Sequence, residues 1–73
     1  MMNEQEFIEN LVDLMDTEAE LKMDTVLADV EEWDSLSLVS FLSLCAKQAK
    51  ERVEPKEVRD AKTVQDLFQI INR

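Results

Sequence analysis

Apolar residues near the start of the chain recur at the spacing of one helical face. Phe7, Ile8, Leu11, Val12, Leu14 and Met15 stand three and four positions apart or adjacent, which predicts a helix from about Glu4 to Met15. Asn3 stands where an N-cap belongs, with Glu6 three residues on as in a capping box. Glu4 and Glu6 also suit the positive end of the helix dipole. From Asp16 to Asp34 the period loosens into single anchors, Leu21, Met23, Val26, Leu27 and Val30. That predicts a long connection holding one helical turn, and so long a loop in a small domain is usually functional.

A second helix is predicted from Ser35 to about Glu51, with Leu36, Val39, Leu42, Cys45, Ala46 and Ala49 as its apolar stripe. Leu38, Phe41 and Leu44 widen the stripe to more than half the circumference, and Ser37, Ser40, Ser43, Lys47 and Lys50 take the remainder. A helix this apolar is central to a bundle or partly exposed for a partner. Pro55 suits a first helical position, so residues 55–60 read as a short helix with Val58 as its apolar contact. A last helix opens at Thr63 with Asp66 three residues later, and Val64, Leu67, Phe68, Ile70 and Ile71 form its core face. The expected fold is all-α: a four-helix bundle of three longer helices and one short one, with a long loop between the first and second.

Composition narrows the chemistry. With 73 residues, 45% hydrophobic and 34% charged, the chain reads as one small globular domain, 1–73, whose core is marginal at this size. Glycine is absent, so tight hairpins and glycine-rich phosphate loops are not expected. Histidine is absent too, which removes the usual general base, the commonest metal ligand and any Ser-His-Asp or Cys-His set. These gaps speak against an enzyme. The single cysteine, Cys45, excludes an internal disulfide and reads as a small buried hydrophobe. Asp24, Asp29, Glu31 and Glu32 read as solvated loop carboxylates rather than a metal site, since calcium-loop spacing and its glycine are missing. The first residues are acidic where a signal peptide would be basic. No apolar run approaches the ~20 residues of a membrane span. The expectation is a soluble cytoplasmic protein.

Charge then singles out one stretch. The formal net charge of −9 argues against nucleic acid as a partner. Residues 1–34 hold twelve acids and one base, Lys22, whereas residues 35–73 hold five acids and seven bases. The break falls at Trp33-Asp34-Ser35-Leu36, where an acidic loop runs into the most apolar helix. Asp and Ser are common helix caps, so one reading of Ser35 is a cap. The other is a hydroxyl placed for covalent attachment.

The order of elements, the Asp34-Ser35-Leu36 triplet and the acidic loop from Asp24-Thr25-Val26-Leu27 to Glu31-Glu32-Trp33-Asp34 together resemble an acyl carrier protein of the phosphopantetheine-dependent family. Thr63-Val64-Gln65-Asp66 resembles that family's opening of its last helix and stands at the matching distance from Ser35. The likeness covers essentially the whole chain. It implies that a phosphopantetheinyl transferase moves the 4'-phosphopantetheine group of coenzyme A onto Ser35. The arm would then carry acyl groups as thioesters between an acyl-activating ligase and acyl-transfer or condensing enzymes of a fatty-acid, polyketide or other specialised pathway. By the same resemblance, Asp34 helps the transferase orient the site. Leu36 seats in the partner or packs at the top of the bundle. Leu38, Val39, Leu42 and Val58 are candidates to line an acyl pocket, with plain core packing as the alternative for each. A monomer is implied, and the apolar second helix leaves a dimer open.

The chain also departs from the family. Where the second helix of these carriers holds several acids for docking, this one has Ser37, Ser40, Ala46, Lys47 and Gln48. Charge steering toward basic partners is therefore weaker or moved to the loop, with Leu38 or Phe41 as apolar replacements. A carrier dedicated to a specialised pathway is expected rather than a housekeeping one. The competing reading is a helical interaction module in which Ser35 is only a cap.

Overall fold

The computed structural model describes residues 2–73, and every regular element in it is helical. The helices are α1 (Glu4–Met15), α2 (Ser35–Gln48), α3 (Pro55–Asp60) and α4 (Val64–Ile71), with a 3₁₀ turn at Leu27–Asp29 inside the α1–α2 connection. The radius of gyration is 10.8 Å, against about 11 Å for a compact chain of this length.

Local chemistry sets the helix ends. Asn3 Oδ1 accepts the Glu6 N–H at 2.8 Å, and Asn3 Nδ2 donates back to Glu6 Oε1 at 2.8 Å. The reciprocal bond expected from Glu6 therefore goes to the asparagine side chain. α1 stops at Asp16, which is left-handed at φ 51°, a region that Asp tolerates better than most residues. With no glycine in the chain, an aspartate takes the position glycine usually fills. Thr63 and Asp66 form the expected capping box at α4, Thr63 Oγ1 accepting from the Asp66 N–H and Asp66 Oδ2 accepting from the Thr63 N–H, each at 3.2 Å.

The long connection is pinned to α4 by its backbone. The Val64 N–H donates to the Thr25 carbonyl at 3.1 Å, the Gln65 N–H to Met23 at 2.8 Å, and the Leu27 N–H to Lys62 at 2.8 Å. Helix-opening N–H groups have no partner within their own helix, and here the loop supplies carbonyls to two of them. Leu21, Leu27 and Val30 are buried under the bundle, while Val26 is exposed and pairs through its backbone with Thr63.

Phe41 organises the core. It is fully buried, with its ring edge-on to Phe7 at 6.1 Å and to Trp33 at 6.2 Å. Phe7 also meets Phe68 at 5.4 Å. α2 packs on α1 and α3, and α3 packs on α4.

This packing corrects the predicted stripe of α2. The buried positions are Ser37, Phe41 and Cys45, four residues apart. Leu36 is 76% exposed and Val39 57% exposed, and Ala46 is exposed as well. Phe41, expected as a surface docking residue, is instead the centre of the core. An aromatic ring has more area to bury than Leu or Val, and once it points inward the residues at i±4 follow it. Ser37 tolerates burial because its hydroxyl donates to the Glu32 carbonyl. α2 also ends at Gln48, short of Glu51, where Ala49 turns to extended backbone.

Phe41→Ala should remove about 3–5 kcal/mol of stability, most of what a domain this small has. Val39→Ala should change it by no more than about 0.5 kcal/mol, as at an ordinary surface position. Urea unfolding of the two variants checks the roll of α2, because the predicted stripe, with Val39 at its centre, would make Val39→Ala costly as well.

Candidate functional site

The site is built where the connection enters α2. The Trp33 N–H donates to the Val30 carbonyl at 3.1 Å, and its indole rests on Phe41, so the residue before Asp34 is fixed from both sides. Asp34 is the N-cap of α2: its backbone is extended, and Oδ1 accepts the Ser37 N–H at 3.0 Å. That backbone donor is the chief reason its carboxyl lies below its usual range. Asp34 and Ser37 thus secure the start of the helix between them, Asp34 by capping and Ser37 by its bond to Glu32.

Ser35 stands between them as the first residue of α2, is exposed, and has no side-chain hydrogen bond among the described residues. This overturns the reading of Ser35 as the cap. Asp34 fills that role, and the serine hydroxyl is uncommitted.

A groove of about 480 Å³ opens beside it, lined by Trp33, Asp34, Ser35, Leu38, Val39 and Arg59. The four expected pocket residues part company here. Leu38 and Val39 line this groove. Leu42 lines a second groove of about 380 Å³ farther along α2, with Cys45, Ala49 and Val53 among its walls. Val58 takes the core-packing alternative in this structure: it is fully buried and does not line the groove at Ser35, because α3 is so short that its one fully buried apolar side chain serves to dock the helix. Leu36 projects into solvent beside the serine rather than packing on top of the bundle.

Arg59 is the residue sequence reasoning missed. Its only signal was its position directly after Val58 on α3, so that burying Val58 carries Arg59 to the rim facing α2.

The rest of the inventory is spare. Cys45 is buried, and desolvation pushes its thiol up to about 11, which makes it a poor nucleophile. Among the described residues no group of three or more His, Cys, Asp or Glu is placed to hold a metal ion. No described helix is long and apolar enough to cross a membrane. The site offers an accessible primary alcohol beside the Asp34 carboxylate, in a chain that has no histidine to act as its base. Such a group reacts when another protein supplies the base, or serves as a fixed point of attachment.

Asp34→Ala should lower the melting temperature by a few degrees as the cap is lost, while Ser35→Ala leaves it unchanged. Because Asp34 titrates below its ordinary value in the fold, its contribution is complete above about pH 4 and fades as pH falls through the lower folded value. Asp34→Asn should lack that segment of an acid-unfolding curve. Searches against protein-family models, curated proteins and solved structures find no match to this chain, so the functional reading rests on the site itself.

Proposed function

We propose that the chain is an acyl carrier protein, loaded with 4'-phosphopantetheine at Ser35 and serving a specialised biosynthetic pathway. The observation that carries this reading is the uncommitted, exposed Ser35 hydroxyl on the first residue of α2, with the neighbouring Asp34 already used as the cap. The residues present fit the group. A phosphodiester at Ser35 would lie by the N-terminal end of a 14-residue helix, where helix N–H groups and the dipole favour negative charge. When attached, the arm supplies a thiol on a long tether.

The chain's own residues position and recognise. Ser35 Oγ forms the new bond to phosphorus as the diphosphate link of coenzyme A breaks, the nucleotide leaves, and the hydroxyl proton passes to a base on the transferase. Asp34 holds the α2 start rigid and presents its second carboxylate oxygen toward the transferase and its metal. Trp33, Leu38 and Val39 give the arm an apolar wall. Partners dock on the outer face of α2, where Leu36, Val39, Ser43, Ala46 and Lys47 are exposed and no acid is present. That face suits a transferase, an acyl-activating ligase or a condensing enzyme with an apolar patch better than one with a basic patch. The same exposed Leu36 and Val39 also favour a second reading, an interaction module that never carries the arm.

The two readings part on one measurement. Incubated with coenzyme A and a promiscuous phosphopantetheinyl transferase, the protein should gain the mass of one phosphopantetheine, and Ser35→Ala should gain none. No gain with several transferases leaves the interaction module standing and the carrier reading refuted. Lys47→Glu should raise turnover with housekeeping carrier-dependent enzymes by restoring an acid to α2, and unchanged or poorer turnover would count against the role given to that face.

A further inference from the structure

We propose that Arg59 is a phosphoryl-pairing residue, its guanidinium holding the phosphate that Ser35 carries and laying the attached group along the groove. The inference rests on Ser35 being a site of phosphoryl attachment, and it adds a residue from a different helix to that site.

Three observations carry it. Arg59 and Ser35 line the same groove of about 480 Å³, although one belongs to α3 and the other to α2. The juxtaposition is fixed by the core, since Val58, the residue before Arg59, is fully buried and α3 packs directly on α2. Finally, Arg59 has no ion pair among the described residues, whereas two other arginines do: Arg52 pairs with Glu54, and Arg73 with Glu57. The chain has acids to spare, at net −9, yet leaves this cation open. The one acid in the groove, Asp34, already accepts the Ser37 N–H.

The chemistry matches. Arginine is charged at every physiological pH, and its planar fork meets two phosphate oxygens at once. A phosphodiester on Ser35 brings one negative charge into a groove bordered by Asp34, with Glu31 and Glu32 exposed on the approach. Arg59 offsets that repulsion from the opposite wall. Pairing draws the arm toward Trp33, Leu38 and Val39 instead of leaving it free in solvent. The groove is open to water, so the effect is of the size of a surface ion pair and is weakened by salt.

The chain is short enough to synthesise, so phosphoserine can be placed at position 35 without any transferase. Its second ionisation, normally near pH 6, is then followed by phosphorus NMR in the parent and in Arg59→Gln. Asp34, Glu31 and Glu32 act alike in both, so the difference isolates Arg59. The second pKa should rise by a few tenths of a unit in Arg59→Gln. Arg59→Lys should restore part of the drop, and the difference should shrink in molar salt. An unchanged value in Arg59→Gln overturns the pairing, whether or not the protein can be loaded. A second arm uses the loaded protein, where the Arg59 Nε–H resonance should move on loading and Trp33 emission should change less in Arg59→Gln than in the parent. A loaded protein with neither response overturns the pairing for the arm. If no transferase loads the chain, the carrier reading falls, and the phosphoserine titration alone decides the role of Arg59.

Discussion

The burial of Phe41 is the constraint on which the rest of this structure depends. Its ring closes the space between Phe7 of α1 and Trp33 of the connection. One side chain thereby sets the roll of α2 and the entry of the loop that precedes it. With Phe41 inward, Ser37 and Cys45 must face inward as well, and Leu36 and Val39 must face out. The apolar outer face of α2 is thus a consequence of how the core is filled. Trp33 resting on the same ring keeps the backbone that leads to Asp34 in register with the helix it caps.

Ser35 becomes available because its neighbours have taken the structural work. A serine at a helix start ordinarily turns its hydroxyl to an unpaired backbone N–H. Here Asp34 accepts from the Ser37 N–H, and the Ser37 hydroxyl reaches back to the Glu32 carbonyl. Two side chains around Ser35 satisfy the local backbone, and Ser35 itself is left out. The loop contributes in the same way farther back, where the Met23 and Thr25 carbonyls accept from the Gln65 and Val64 N–H groups and the Leu27 N–H donates to the Lys62 carbonyl at the opening of α4. A connection with no helix of its own beyond one 3₁₀ turn is held from both sides, so the residues before the serine are positioned rather than slack.

Much of this was legible in the sequence, and the failures share one cause. The bounds of α1 and α3 and the Thr63–Asp66 cap follow from apolar spacing and from local capping chemistry, both of which act over a few residues. The roll of α2 did not, because Leu36, Leu38, Val39, Phe41, Leu42 and Leu44 nearly encircle it and periodicity cannot choose among so many apolar positions. Long-range contact chose: Phe7 and Trp33 supply the partners for Phe41. The same limit explains Val58, seen as apolar but left open between core and pocket wall, since only the packing shows that a six-residue helix uses its one fully buried apolar side chain to dock. Arg59 was invisible for a related reason. Nothing in its own neighbourhood distinguishes it from Arg52, Lys56 or Lys62, and only the packing of α3 on α2 carries it to the groove of Ser35.

The distribution of charge takes on meaning once the helices are placed. The acids concentrate before Ser35, and those of the connection lie exposed, while the outward face of α2 holds serines, Leu36, Val39, Ala46 and Lys47. A molecule approaching along the loop therefore meets strong negative potential, whereas one approaching α2 meets an apolar, weakly positive surface. The serine lies on the line between the two. The two surfaces on either side of that hydroxyl thus differ in chemistry, one strongly acidic and one apolar, and would suit partners of different kinds. That contrast of surfaces depends on α2 keeping the roll that Phe41 imposes, because turning the helix to bury Leu36 and Val39 would remove the apolar face.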